Sequence, residues 1–360
     1  MERKAVLVFS DGSYVSGNGF GASTEKVGEL VFNTSMTGYR EALTDPSYAG
    51  QVLVFSYPLI GNYGFSESAV ESGKIWASGV VVLEACQVPN HYQTQWNFSD
   101  YLKKHDIPGI SGIDTRQLVQ KIRDEGAQPV ALKVWDRNPE PDLGKEVKSL
   151  REKAARFSYS AEAFVAEVST LEPITYEGKR EGKKVVLVDC GVKKSMIENL
   201  TLRNITVVRV PYHASAKQIL AFEPDGVMFS NGPGDPSLLK KTVKACKDLF
   251  GKKPVFGVCL GHQILAQAMG AKTFKLKFGH RGSNHAVEDL HTGRILITAQ
   301  NHGFAVKNLP KKSEWMRNCL DGTNEGILTD EAFSVQFHPE AHPGPKDPNG
   351  LFDRFKERMG

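Results

Sequence analysis

The stretch Pro254-Val255-Phe256-Gly257-Val258-Cys259-Leu260-Gly261 decides the fold. Its first five residues read as a buried strand, and the chain from Leu260 to Met269 reads as a helix that Gly270 stops. A strand that enters a helix directly is half of a β-α-β unit, and the neighbouring sequence supplies the rest. Val185–Val188, Thr206–Val210, Gly226–Ser230 and Phe333–Phe337 read as further strands. Helices are expected at Ser195–Leu202, Ala216–Phe222 and Leu238–Phe250. The alternation predicts an α/β fold over residues 184–360: an open, mostly parallel sheet flanked by helices. In such sheets ligands sit beyond the carboxyl ends of the strands.

Outward from this region the texture changes. Residues 138–183 are polar, carry prolines at 139, 141 and 173, and run into the charged stretch 177–184, so they read as a connecting segment and linker. Residues 1–137 hold short β-type runs, Val52–Phe55 and Val80–Leu83, between dense turns such as Asp11-Gly12, Asp45-Pro46 and Pro108-Gly109. They predict an N-terminal, β-rich α/β domain. The apolar run Ala5–Phe9 is too short for a signal-peptide core and reads as a first strand. No stretch approaches the roughly 18 apolar residues of a membrane helix.

Composition excludes rather than identifies. With 40% apolar and 24% charged residues, 34 glycines and 18 prolines, the 360-residue chain is neither collagen-like nor disordered. A net charge of +4 is too weak for non-specific nucleic-acid affinity, and no membrane partner is expected. The five cysteines are scattered with no C-x-x-C pair, which argues against a disulfide framework or zinc site and predicts a cytoplasmic location.

Three features carry chemistry. Gly257-Val258-Cys259-Leu260-Gly261 has the nucleophile-elbow pattern, with cysteine at a helix N-terminus where the dipole favours thiolate. A buried strand-end cysteine between packing glycines fits this stretch too. His338-Pro339-Glu340 follows another strand, so His338 is a candidate base and Glu340 its orienter. Alone it would read as a surface turn; beside a cysteine elbow it reads as the rest of a triad. The loop Ser230-Asn231-Gly232-Pro233-Gly234-Asp235-Pro236 offers close-approaching backbone N–H groups, and Gly232 with Leu260 is a candidate oxyanion hole. A rigid turn is the competing reading.

These three motifs together resemble class I glutamine amidotransferase domains over residues 184–360. Phe32–Tyr39, Leu43–Tyr48, Tyr57–Asn62 and Ile113-Asp114-Thr115-Arg116 extend the likeness to the family of small, glutamine-hydrolysing subunits of carbamoyl-phosphate synthetases. The resemblance implies that Cys259 attacks the amide of L-glutamine, that His338 protonates the departing ammonia, and that a γ-glutamyl thioester forms. It implies glutamine contacts from Ser47, Gly232, Gly234, Leu260, Gln263, Asn301, Gly303 and Phe304; Gln263 stands one helical turn beyond Cys259 on the same face. It also implies a large partner subunit using ATP, Mg and bicarbonate, with no cofactor or metal on this chain and with higher oligomers of the heterodimer conceivable. Pyrimidine and arginine synthesis both remain open as destinations.

The competing readings are a glutaminase subunit of another amidotransferase, a stand-alone γ-glutamyl peptidase, and a scaffold that has kept the fold. The late histidines (His280, His285, His291, His302, His338, His342) lack metal-ligand spacing and, His338 apart, read mostly as loop residues. Cys190 reads as structural, as do the remaining cysteines, and Lys240, Lys241, Lys244 and Lys247 read as a solvated helix face. Arg281, Ser283, Ala286, His342 and Lys346 depart from the family pattern.

Overall fold

The computed structural model describes residues 3–136, 142–178 and 182–360, which divide into two units at Glu162/Ala163. Of the expected connecting segment, prolines 139 and 141 and charged residues 179–181 lie outside the described residues.

The first unit holds β1 (Arg3–Phe9), β2 (Tyr14–Gly21), β3 (Glu25–Asn33), β4 (Gln51–Phe55), β5 (Leu59–Ile60), β6 (Gly79–Val81), β7 (Glu84–Ala85), β8 (Pro108–Ser111) and β9 (Gln128–Val134). Seven of them close into a barrel in the order β1-β2-β8-β6-β4-β3-β9, while β5 pairs with β7. Ala5–Phe9 are all buried, so the first apolar run is a barrel strand. Helices α1 (Tyr39–Thr44), α2 (Phe98–Lys104), α3 (Thr115–Glu125) and α4 (Leu143–Arg156) accompany the barrel. α4 arises within the segment expected to connect the domains. Asp142 caps it, and Leu150 and Ala154 pack on Val6, Val8 and Ala131 of the barrel. This apolar stripe is what assigns residues 142–156 to the first unit.

The second unit begins with α5 (Phe164–Val168) and β10 (Ile174–Tyr176), then alternates β11 (Lys184–Asp189), α6 (Lys194–Leu202), β12 (Thr206–Pro211), α7 (Ala216–Leu220), β13 (Gly226–Phe229), α8 (Lys240–Leu249), β14 (Val255–Val258) and α9 (Leu260–Ala268). It continues through β15 (Lys272–Asp289), β16 (Ile295–Lys307), β17 (Glu314–Asn318), β18 (Asn324–Leu328), β19 (Ala332–Val335) and α10 (Leu351–Arg358). The sheet order is β10-β12-β11-β13-β14-β19-β18-β17-β15-β16.

The expected parallel core comprises β12, β11, β13, β14 and β19. To it the structure adds antiparallel β10 at one edge and a four-strand antiparallel arm at the other. Val185–Val188 are buried on both faces, hence their unbroken apolar run. Val186 and Val188 join α8 and α9 residues such as Leu249 and Ile264 in one core, while Val185 and Leu187 join Met196, Leu200, Phe352 and Phe355 of α6 and α10 in the other. No helix among the described residues is long and apolar enough to cross a membrane.

The order β13-β14-β19, all parallel, decides where chemistry can occur. The loops that follow these neighbours carry the Gly232 turn, Cys259 and His338, so three motifs far apart in sequence leave the same sheet edge.

Candidate active site

Cys259 sits between β14 and α9 with φ 54° and ψ −102°. A non-glycine residue in this region costs about 1–3 kcal/mol, so the surroundings must impose it. They do so through backbone bonds: the Cys259 N–H donates to the Val335 carbonyl at 2.9 Å, and the Gly261 N–H to that of Ser230 at 3.0 Å. The two elbow glycines are steric requirements. A Cβ on Gly257 would lie 2.5 Å from the Gly261 carbonyl oxygen, and one on Gly261 would fall on the Phe229 carbonyl. Cys259 is buried, with its Sγ 3.6 Å from the Asn301 carbonyl oxygen of β16.

His338 and Glu340 follow β19, and the His338 backbone N–H is tied to the Ala299 carbonyl at 2.9 Å. Nδ1 of His338 lies 2.6 Å from Oε1 of Glu340. Nε2 has no hydrogen-bond partner among the described residues and is the nitrogen left for reaction. Burial pulls the imidazole's pKa down, but the Glu340 carboxylate and the Cys259 sulfur outweigh it and hold the group up at about 10. Burial likewise opposes the Glu340 charge, and Lys193 together with His338 overcomes it, holding the carboxyl well below its usual range.

Lys193 was not singled out in the sequence. Its Nζ donates to Glu340 Oε1 at 2.9 Å and to the His342 carbonyl, and both side chains are almost wholly buried. Asp189, at the end of β11, accepts the N–H groups of Gly191 and Val192 at 3.0 and 2.8 Å, and so shapes the turn that delivers Lys193. The available signal was positional, since Lys193 follows a strand of the same parallel sheet. His342, one of the departures, thus takes part through its backbone.

The remaining positions fall into two sets. Gly232 lies against Leu260, and a Cβ there would collide with the Cys190 carbonyl and approach the Leu260 side chain to 2.9 Å. The amides of Gly232 and Leu260 donate to no described residue, leaving two N–H groups for an oxyanion. Gly234 closes the same loop with φ 87°. Gln263 is buried on α9, and its amide donates to the Phe304 carbonyl at 2.9 Å and to Gln336 at 3.1 Å. Asn301, Gly303 and Phe304 lie on β16 beside it. Ser47 stands in the first unit, in the turn Pro46–Tyr48, where its N–H is capped by Asp45 at 2.9 Å.

Several other expectations change. His280 and His302 are buried strand residues, and His285 stands with them on the β15–β16 ribbon. The ribbon's long register was not apparent from local pattern. His280, His302 and Glu325 bring ligand-type atoms within 4.8 Å of one another. Both His302 nitrogens and both Glu325 oxygens nevertheless have hydrogen-bond partners within the protein. Cys190 and Cys246 are packed in the core, where burial raises both thiols, but Cys86 is half-buried and Cys319 exposed, so these two are not packing residues. The Lys240, Lys241, Lys244 and Lys247 face is exposed, as its spacing predicts.

A parallel sheet edge carrying a strained cysteine, an ion-paired histidine and two unengaged amides defines the second unit as a class-I glutamine amidotransferase domain, and that family's model matches residues 186–358. The first unit matches a second family model, the carbamoyl-phosphate synthase small chain, CPSase domain, over residues 7–132. The chain is 46% identical over 362 residues to the carbamoyl phosphate synthase small chain of Listeria monocytogenes serotype 4b, covering 99% of this chain and 97% of that protein. It is 44% identical to the counterpart from Archaeoglobus fulgidus, covering 99% of each. It is also similar, over 49% of its length and 96% of the other chain, to a solved GMP synthase subunit of Thermoplasma acidophilum, at 19% identity and a TM-score of 0.42. The chain belongs to the carbamoyl phosphate synthase small chain family.

Proposed function

We propose that this chain hydrolyses L-glutamine through a Cys259–His338–Glu340 triad and supplies the ammonia to a large subunit that makes carbamoyl phosphate. The observation that carries the reading is the ion-paired His338, poised with a free Nε2 beside a strained, buried cysteine. With the proton already on Nε2 of the ion-paired His338, the Cys259 sulfur attacks the side-chain amide carbon. The resulting oxyanion accepts hydrogen bonds from the Gly232 and Leu260 amides. The imidazolium then protonates the amine as the C–N bond breaks, leaving a γ-glutamyl thioester and ammonia. Water, deprotonated by the now neutral His338, cleaves the thioester to glutamate, expels the sulfur and restores the resting pair of Cys259 and protonated His338. Gly234, Gln263, Asn301, Gly303 and Phe304 would border the substrate.

Ammonia released into neutral water becomes ammonium, which is not nucleophilic, so its consumer must be attached. The large subunit would bind ATP, Mg and bicarbonate, and the first unit is the part proposed to dock it. The five free cysteines suit a reducing, cytoplasmic setting. Cys259→Ala is expected to lower glutamine-dependent synthesis by the reconstituted complex about 10⁴-fold. Synthesis from added ammonia should persist. Loss of both would give Cys259 an assembly role instead.

A further inference from the structure

Behind the substrate-facing side of β16 lies a network that the triad mechanism does not use. Side chains on a strand alternate between faces, so Gln300, His302 and Phe304 share one face while Asn301 and Gly303 take the other. On the rear face the His302 ring bridges the Phe304 carbonyl oxygen, 2.8 Å from Nδ1, and the Gln300 side-chain oxygen, 2.7 Å from Nε2. The Gln300 amide donates in turn to Oε2 of Glu325 on β18, at 2.9 Å. Oε1 of Glu325 accepts from Asn318 of β17 at 3.0 Å.

Glu325 is wholly buried. A desolvated carboxylate costs several kcal/mol, and a neutral side chain would fill the space without that cost. The backbone ladder offers a reason for its presence. β15 and β16 pair regularly only at His280–His302, Arg281–Asn301 and Gly282–Gln300 here, with register shifts on both sides. Such irregularities leave the strand's position weakly specified by its own hydrogen bonds.

We propose that Glu325 is a positioning residue for glutamine binding. It acts through Gln300 and His302 to fix the Phe304 carbonyl, and hence the front-face residues Asn301 and Gly303 beside Cys259. The Phe304 carbonyl also receives Gln263, so the same atom ties α9 to the network. This inference rests on the reading of Asn301, Gly303 and Phe304 as glutamine contacts.

The test is steady-state kinetics on the reconstituted complex. Glu325→Ala should raise KM for glutamine about tenfold or more, leave kcat within about threefold, and spare ammonia-dependent synthesis. Glu325→Gln should return KM to within about threefold, because its amide oxygen still accepts from Gln300. Gln300→Leu cuts the relay elsewhere and should raise KM similarly, with no further rise in the double variant. It also serves alone if Glu325→Ala does not fold. An unchanged KM in either single variant overturns the proposal, as do multiplicative effects in the double. Wild-type protein that retains zinc and loses glutamine affinity when zinc is chelated also overturns it, making His280, His302 and Glu325 a metal site. A wild-type complex that turns over added ammonia but not glutamine removes the functional reading itself, and this proposal with it.

Discussion

The barrel and the edge of the ten-stranded sheet both use lysine–carboxylate pairs, in opposite surroundings. In the first unit Lys153 meets Glu25 with the two side chains 50% and 23% exposed. In the second, Lys193 meets Glu340 at 4% and 0%. Solvent screens the first pair, which contributes about 0–1 kcal/mol, whereas breaking a buried pair leaves an uncompensated charge at about 3–5 kcal/mol. The Lys153–Glu25 pair therefore stays solvated and adds little to a barrel closed by apolar residues such as Val6, Leu7 and Val8. At the sheet edge the charges set proton affinities, and each is fixed by its neighbours. The same contrast holds for the backbone: Asp106 of the first unit has positive φ at a turn, but Cys259 holds its strain at a buried strand end.

The largest break in this comparison should come from Lys193→Met, expected to destabilise the protein by about 3–5 kcal/mol in a denaturant titration. Removing the ammonium also removes the main attraction that depresses the Glu340 carboxyl, so that group's proton affinity rises. Stability supplied by a depressed carboxylate is lost as pH falls through its folded value. The loss, and the acid limb of glutamine turnover, should therefore begin at higher pH in the variant. An unmoved acid limb would mean that Lys193 does not tune Glu340.

Glu340→Gln should come next, slowing glutamine hydrolysis about 10²-fold. The carboxylate helps hold His338 protonated up to about pH 10, so its removal should shift the basic limb of the pH–rate profile to lower pH. A shift in the opposite direction would contradict the assigned pairing. The smallest effect is expected for Lys153→Ala, no more than about 1 kcal/mol in the same denaturant titration, with activity unaltered. A loss as large as that of Lys193→Met would erase the distinction between the two regions.

What was legible in the sequence follows the range of the interactions involved. Gly257, Cys259 and Gly261 announce themselves because an elbow is a local device: the steric need for glycine and the site of the nucleophile fall within five residues. His338 and Glu340 are two apart, so their pairing could be read directly. Lys193 approaches Glu340 across 147 positions, and Gln300 meets Glu325 across 25, so nothing local marks either. The parallel strands were visible as apolar runs. The β15–β16 ribbon was not, since only half-buried residues and shifted pairing fill much of it, and its histidines passed for loop residues. α4 was hidden for a related reason: its buried stripe amounts to Leu150 and Ala154 in an otherwise charged helix.

The central claim is that Cys259 carries the acyl group. Acid-quenching the complex during turnover of labelled glutamine, followed by peptide mapping, tests it most directly. The account predicts label on the Cys259 peptide and none in Cys259→Ala. Label on Cys190, or turnover without any thiol-bound intermediate, would contradict it.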